Sequence, residues 1–207
     1  MSSELYVITA ATGNIGRKVT EELLAKGKKV RAIGRSLKNL EPLASKGAEA
    51  FQANVEYFEE VKRSFANATA VFTLIPPNYG AAYFRSYQIK VAENYTGAID
   101  ALKIKYVVNL SSVGAHLKEK NGLIGGLNYS EDRLNKLKDV NMVHVRPSFF
   151  MENNLFNIGL IKQNGINGSP LKGDLPVPMI ATKDIAAFIA DLFINLNFKG
   201  NIVRELL

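Results

Sequence analysis

"VITAATGNIGRKV", residues 7–19, opens as an apolar run, breaks into small residues and then continues at helical spacing. Val7, Ile8 and Thr9 read as the end of a strand. Ile15, Val19, Leu23 and Leu24 mark one face of a helix, and Gly27 is a helix stop. Thr12, Gly13, Asn14 and Gly16 therefore sit where strand gives way to helix. A strand ending there delivers the chain to the carboxyl edge of a sheet, with the following helix pointing its N-terminus back at that edge. The first N–H groups of that helix lack intrahelical acceptors, and its dipole favours negative charge. Gly13 lets the backbone approach an anion, Gly16 lets the helix pack closely on the strand, and Thr12 and Asn14 offer side-chain hydrogen bonds. The stretch is thus expected to cradle a diphosphate. Ala10 stands where the usual G-x-G-x-x-G or G-x-x-G-x-x-G pattern begins, and the alternative is a tight turn without a ligand. Its place in a first βαβ unit favours the cradle.

Working outward, apolar β-branched segments at 4–9, 29–34, 48–53, 70–75, 106–111 and 142–147 read as strands. Between them lie helical patterns: "YFEEVKRSFA", residues 80–102, "SEDRLNKL" and "TKDIAAFIADLFI", the last with Thr182 as N-cap and Asp184 in its first turn. Alternating strands and helices imply parallel pairing by right-handed crossovers, hence an α/β doubly wound sheet in three αβα layers. The strands are too continuously apolar to leave one face wet. Residues 164–178, "NGINGSPLKGDLPVP", read as a long loop, and long loops in compact domains often serve function.

The second strand bears on the ligand. NAD binders usually carry an acid about 20 residues beyond the glycines to hold the ribose 2′-hydroxyl. Arg35 lies 35 − 16 = 19 residues past Gly16, and no acid occurs from Lys26 to Asn39. A guanidinium would grip a 2′-phosphate that a carboxylate would repel. Arg35 is accordingly expected to favour NADP(H) over NAD(H). For Lys38 a ligand role and a solvated surface role stand level.

With 207 residues, 47% hydrophobic and 22% charged, the chain suits one globular domain. No apolar run reaches the ~20 residues of a membrane span, and the start lacks a basic region leading into a long apolar stretch. Cysteine is absent, which excludes disulfides and thiol chemistry and fits a reducing cytoplasm. The net charge of +7 comes from scattered Lys and Arg, densest at Lys26, Lys28, Lys29 and Arg31. That pattern favours a solvated surface with an anionic ligand over nucleic acid. The two histidines, His116 and His144, are far apart and have no carboxylate cluster, so no metal site is expected.

"ITAATGNIGRKV", "VRAIGRS", "NLSSVGAH", "VHVRPSFFMENN" and "LPVPMIATKDIA" together resemble the NmrA-like, atypical short-chain dehydrogenase/reductase family over essentially the whole chain. The pair "RPSFFMEN" and "PMIATKDIA" is more specific than the glycine turn. The resemblance implies a Rossmann-type NAD(P)-binding fold spanning 1–207, with 149–207 forming a small substrate-side region. Members of the family include quinone, triphenylmethane dye and isoflavone-type reductases, as well as redox-sensing regulators. It puts the cofactor turn on Ala10, Thr12, Gly13, Asn14, Ile15 and Gly16, and the 2′-phosphate position on Arg35. The adenine contact falls on Asn54, where the family has Asp, with Val55 beside it. Ile75 and Pro76 fall on the ribose side, Ser111 and Ser112 at the end of the fifth strand, and Pro147, Ser148 and Phe149 at the nicotinamide end. Relatives usually run several dozen residues past "VRELL". The resemblance therefore implies that the family's C-terminal extension is absent, leaving the substrate region short or completed by a neighbouring subunit.

Typical short-chain dehydrogenases use Ser with Tyr-x-x-x-Lys, whereas NmrA-like members generally lack that set. Here Tyr129-x-x-x-Arg133 is the nearest match, and Tyr129 is the one catalytic candidate. The competing reading makes Asn128 and Glu131 a capping box at a helix start. Tyr79 and Tyr83 could face a flat aromatic substrate, and His116 a ligand at the active edge; His144 reads as structural. Hydride transfer to a quinone needs no strong acid, because the cofactor carries the chemistry. The expected function is NADPH-dependent reduction of a small electron-poor acceptor such as a quinone. The alternative is a non-catalytic NADP(H) sensor acting on a protein partner. Homo-oligomerisation is compatible with either.

Overall fold

In the computed structural model, which describes residues 4–168 and 172–207, strand β1 (Leu5–Ile8) is buried along its whole length. Its alternating side chains divide the core. Leu5 and Val7 face one helical layer, Tyr6 and Ile8 the other. The chain then alternates: α1 (Asn14–Ala25), β2 (Lys29–Gly34), α2 (Leu37–Ala44), β3 (Glu49–Gln52), α3 (Phe58–Phe65), β4 (Ala70–Thr73), α4 (Phe84–Leu102), β5 (Tyr106–Leu110), α5 (Gly125–Leu134) and β6 (Asn141–Pro147). A short β7 (Phe149–Phe150) leads through a 3-10 turn, Met151–Asn157, into α6 (Ile158–Asn164). The chain then continues to β8 (Met179–Ile180), α7 (Thr182–Asn195) and β9 (Asn201–Leu206).

The main sheet runs β3-β2-β1-β4-β5-β6-β9, with every pair parallel. Strand order reverses between β1 and β4, the switch point where such sheets open a crevice at their carboxyl edge. On one face α1, α2 and α7 contribute Ile15, Val19, Leu40, Ile185, Ile189 and Phe193. On the other, α3, α4 and α5 contribute Val61, Phe65, Val91, Tyr95, Ile99 and Leu134. The expected three-layer doubly wound fold is borne out.

Several local expectations need correction. The helix expected over 80–102 begins at Phe84, after an extended Tyr83. The helix expected from Ser130 begins at Gly125. Gly125 and Gly126 look like breakers, but they let α5 close on its neighbours: a Cβ at Gly126 would lie 2.3 Å from Gln88 Cβ on α4. Asn128 is therefore inside α5, where its amide donates to the Ala115 carbonyl at 2.7 Å, and the capping box with Glu131 does not form. Glu131 instead is buried and pairs with two of the three Arg146 guanidinium nitrogens, Nε at 3.0 Å and Nη2 at 2.5 Å.

Thr182 is the first residue of α7, with Ala181 at the cap position. The cap comes from afar: both Glu152 carboxylate oxygens accept from the Thr182 N–H, at 2.9 and 3.0 Å, and the Thr182 hydroxyl donates to the same carboxylate. Helices α2 and α6 and strands β7, β8 and β9 are additions to the sequence reading. Within the 164–178 segment, residues 169–171 lie outside the described residues. The rest after Asn164 has no regular structure.

Candidate functional site

The glycine turn expected to cradle a diphosphate follows β1. Ala10 adopts φ +49°, the left-handed region that favours glycine, so the missing first glycine is met by an alanine in glycine's conformation. The Gly13 N–H donates to the Ala10 carbonyl at 2.9 Å and closes the turn. A Cβ at Gly16 would sit 2.4 Å from that carbonyl oxygen, which is why the helix can approach only through glycine. Gly13 is the N-cap of α1; it has no side-chain cap, and the first turn holds no acidic residue. The leading amides thus meet the crevice with no carboxylate of their own first turn in competition, and among the described residues the one carboxylate lining the cavity, Glu56, lies after β3.

A cavity of about 560 Å³ lies over this turn. Ala10, Thr12, Gly13, Asn14 and Ile15 form its floor. Arg35 follows at the end of β2, Asn54 and Val55 after β3, and Pro76 after β4. Among the described residues the Arg35 guanidinium has no hydrogen-bond or carboxylate partner. Asn54 Oδ1 accepts from the Glu56 N–H at 3.0 Å, and the Glu60 carboxylate accepts from the Asn54 N–H at 2.7 Å, so the loop after β3 is set by its own hydrogen bonds. Gly16 lies beneath the floor, and Lys38 sits exposed on α2 outside the lining.

A second cavity, about 640 Å³, adjoins the first. The two share Leu74, Pro77, Tyr79, Phe150 and Asn153. Ile75, Ser111, Pro147 and Phe149, all expected at the ribose or nicotinamide end, line this second chamber, as do Ser112 and Ser148. Leu175, Val177 and Pro178 of the long loop close it. Its lining is apolar with a few hydroxyls, the usual character of a small-molecule site.

The 74–78 segment between the chambers is braced by tyrosines of α4. Tyr95 donates to the Leu74 carbonyl and Tyr87 to the Pro76 carbonyl, each at 2.9 Å, while Thr9 Oγ1 accepts from the Leu74 N–H at 3.0 Å. Burial, with Glu56 adding and Arg35 opposing, pushes the Tyr87 phenol up to about 12, so it stays a donor. Helical spacing gives no sign of this bracing by Tyr87 and Tyr95, because the accepting carbonyls lie in a loop.

Tyr79 lines both chambers and stacks on Phe84, centroids 5.8 Å apart. Tyr83 and His116 are exposed and line neither. Tyr129 also lies outside both. Its hydroxyl donates to Glu93 on α4, and Arg133 grips that carboxylate at 2.7 and 2.9 Å. The bond to Glu93, with burial, raises the Tyr129 phenol, which makes it a poorer acid at a place outside both linings. The Tyr129–Arg133 spacing that resembled a catalytic pair is an ion-paired helix contact. His144 is structural, as read: it is fully buried, with Nδ1 3.1 Å from the Asn109 amide nitrogen and Nε2 3.1 Å from Asn135 Oδ1.

A nicotinamide dinucleotide fits this arrangement: uncapped helix amides for a diphosphate and adjoining chambers for its two ends. A doubly wound sheet with such a crevice at its switch point defines a Rossmann-type dinucleotide-binding protein. Residues 10–195 match the model of the NAD(P)H-binding family, and the chain belongs to that family. This fits the resemblance to NmrA-like, atypical short-chain dehydrogenase/reductases.

A comparison with curated protein sequences gives no significant match. Among solved structures, an NADPH-dependent quinone oxidoreductase from Escherichia coli complexed with NADPH is similar at TM-score 0.81 and 20% identity, covering 98% of this chain and 68% of that one. A Citrobacter sp. triphenylmethane reductase complexed with NADP(H) is similar at TM-score 0.79 and 17% identity, covering 96% and 68%. An anaerobillin reductase from Escherichia coli O157:H7 has TM-score 0.73 and 14% identity, covering 98% and 96%. At these identities the likeness is one of fold. Among the described residues no helix is long and apolar enough to cross a membrane.

Proposed function

We propose that the chain is an NADPH-dependent reductase of a small, electron-poor acceptor, with a quinone the best fit, and that 1–207 works as one NAD(P)-binding domain with 149–207 on the substrate side. The carrying observation is the pair of adjoining chambers, one floored by helix amides and flanked by an unpaired Arg35, the other apolar. The α1 amides would hold the diphosphate, Arg35 the 2′-phosphate, and Asn54 with Val55 the adenine. Bound NADPH supplies a hydride. Phe149, Phe150 and Pro147 would keep water from the transfer and fix the acceptor's distance, the protein's main contribution to such chemistry. The product's second hydrogen is a proton from water. Quinone reductases and a dye reductase among the structural neighbours support the reading by analogy of fold.

The sequestration of Tyr129 leaves the acceptor chamber without a recognisable acid and favours the second reading, an NADP(H) sensor. One assay separates the two: NADPH mixed with the protein and a panel of quinones, followed at the reduced-nicotinamide absorbance band. Quinone-dependent loss of absorbance is expected. NADPH binding with no oxidation across the panel would select the sensor, and no binding would remove both.

A further inference from the structure

The polar groups of the acceptor chamber are few. Among the described residues that line it there is no carboxylate, ammonium, guanidinium or imidazole, so it suits an uncharged guest. Ser112 Oγ donates to the Val113 carbonyl at 3.0 Å, and Tyr79 stands at the exposed rim. Ser148 differs. The residue is 4% exposed, and its hydroxyl is buried without a hydrogen-bond partner. Its backbone is fixed from both sides: the Ser148 N–H donates to the Leu206 carbonyl at 2.8 Å, and the preceding Pro147 carbonyl accepts from the Val113 N–H at 3.1 Å. A pinned backbone leaves χ1 and the hydroxyl proton as the free rotations. A buried hydroxyl without a partner is costly, and a ligand oxygen at the chamber wall would relieve that cost.

We propose that Ser148 Oγ donates the hydrogen bond that orients a neutral, flat carbonyl compound in this chamber. The hydrocarbon body of such a guest would lie among Leu110, Ile124, Leu127 and Val177, with one carbonyl oxygen on Ser148. The claim rests on the reductase reading for turnover but not for binding. In turnover the acceptor gains two electrons and one hydrogen from NADPH, which leaves as NADP⁺, and one proton from water. The oxygen becomes more negative along that path, so the same hydrogen bond strengthens.

The test uses the whole chain saturated with NADP⁺, with 2-methyl-1,4-naphthoquinone as probe and 2-methylnaphthalene as its carbonyl-free control, by equilibrium dialysis. Ser148→Ala is expected to weaken the quinone roughly five- to tenfold, the worth of about one neutral hydrogen bond, and to leave 2-methylnaphthalene and NADP⁺ affinities unchanged. Ser148→Cys, of similar size with a weak donor, gives an intermediate loss and serves if the alanine variant folds poorly. Equal quinone affinity in the variants overturns the proposal. So does an equal loss for the control, which would mean packing, or a loss confined to NADP⁺, which would place the hydroxyl on the nicotinamide. Absence of quinone binding to the unaltered chain also overturns it. Serine-dependent quinone binding without any NADPH oxidation would instead remove the reductase reading and leave the site standing.

Discussion

In the proposed function, Arg35 is the residue on which dinucleotide choice would turn. It sits exposed where β2 ends, lines the cofactor chamber and spends its charge on no internal partner among the described residues. A phosphate bonded by a guanidinium fork is worth roughly 1.5–3 kcal/mol, a factor of ten or more in affinity. Arg35→Glu is expected to weaken NADPH by at least about tenfold and reverse its preference over NADH. Calorimetry with both dinucleotides checks this, and equal affinities in the unaltered protein would remove the argument. Arg35 and the glycine turn were legible in the sequence because their meaning is local: a strand, a few small residues, a helix, and the next strand's end. Tyr129 misled for the opposite reason. Its partner Glu93 lies 36 positions earlier, and no short-range pattern announces that contact. Asn153 and Phe150, which touch both chambers, stood inside the motif "RPSFFMENN", but only its first residues were assigned.

At the scale of elements, the same motif gains a physical meaning. Strand β7 pairs with β8, joining Phe149 to Met179 and Phe150 to Ile180, and Glu152 caps α7. The two stretches that carried the family resemblance are thus one structural unit. Burial raises the Glu152 carboxyl, but hydrogen bonds from the Thr182 hydroxyl and N–H outweigh it and hold the group below the usual range, which keeps the cap charged. Glu152→Ala is expected to cost about 1–2 kcal/mol, the usual price of a lost cap, and to lower Tm by a few degrees. An unchanged melting curve would show that the cap is idle. Elements missed from sequence failed for identifiable reasons. In α2, Pro42 interrupts a pattern whose Leu40 and Leu43 nonetheless pack in the core. Strand β9 is a half-exposed edge that lacks the apolar run expected of an inner strand.

At the scale of the whole molecule, parallel pairing and layering followed from alternation alone, whereas the strand order and the buried polar groups could be placed only once the strands were side by side. His144 on β6 meets Asn109 on β5, whose amide oxygen accepts from Thr73 on β4 at 2.9 Å. Burial pushes the imidazole down from 6.5 to about 4, Glu131 opposing and Arg146 assisting. Unfolded chains therefore take up the proton at higher pH than folded ones. The stability this group contributes is complete above about pH 6.5, declines as pH falls toward 4, and changes no further below that. Between about pH 7.5 and pH 5 the loss is on the order of 2 kcal/mol. Denaturant melts at the two values are expected to show it, and His144→Gln to flatten it. An equal slope in the variant would assign the loss elsewhere.

The all-parallel sheet has a temporal consequence. No strand can find its neighbour through a hairpin, so every pairing waits for an intervening crossover, and such nonlocal topologies fold slowly. The first crossover needs only residues from β1 to β2 and can assemble while synthesis continues. The wall bearing Ser148 cannot, because its amide is anchored to Leu206 on β9, and among the described residues β9 pairs with β6 alone. The glycine turn belongs to the early chain, and the second chamber is completed last.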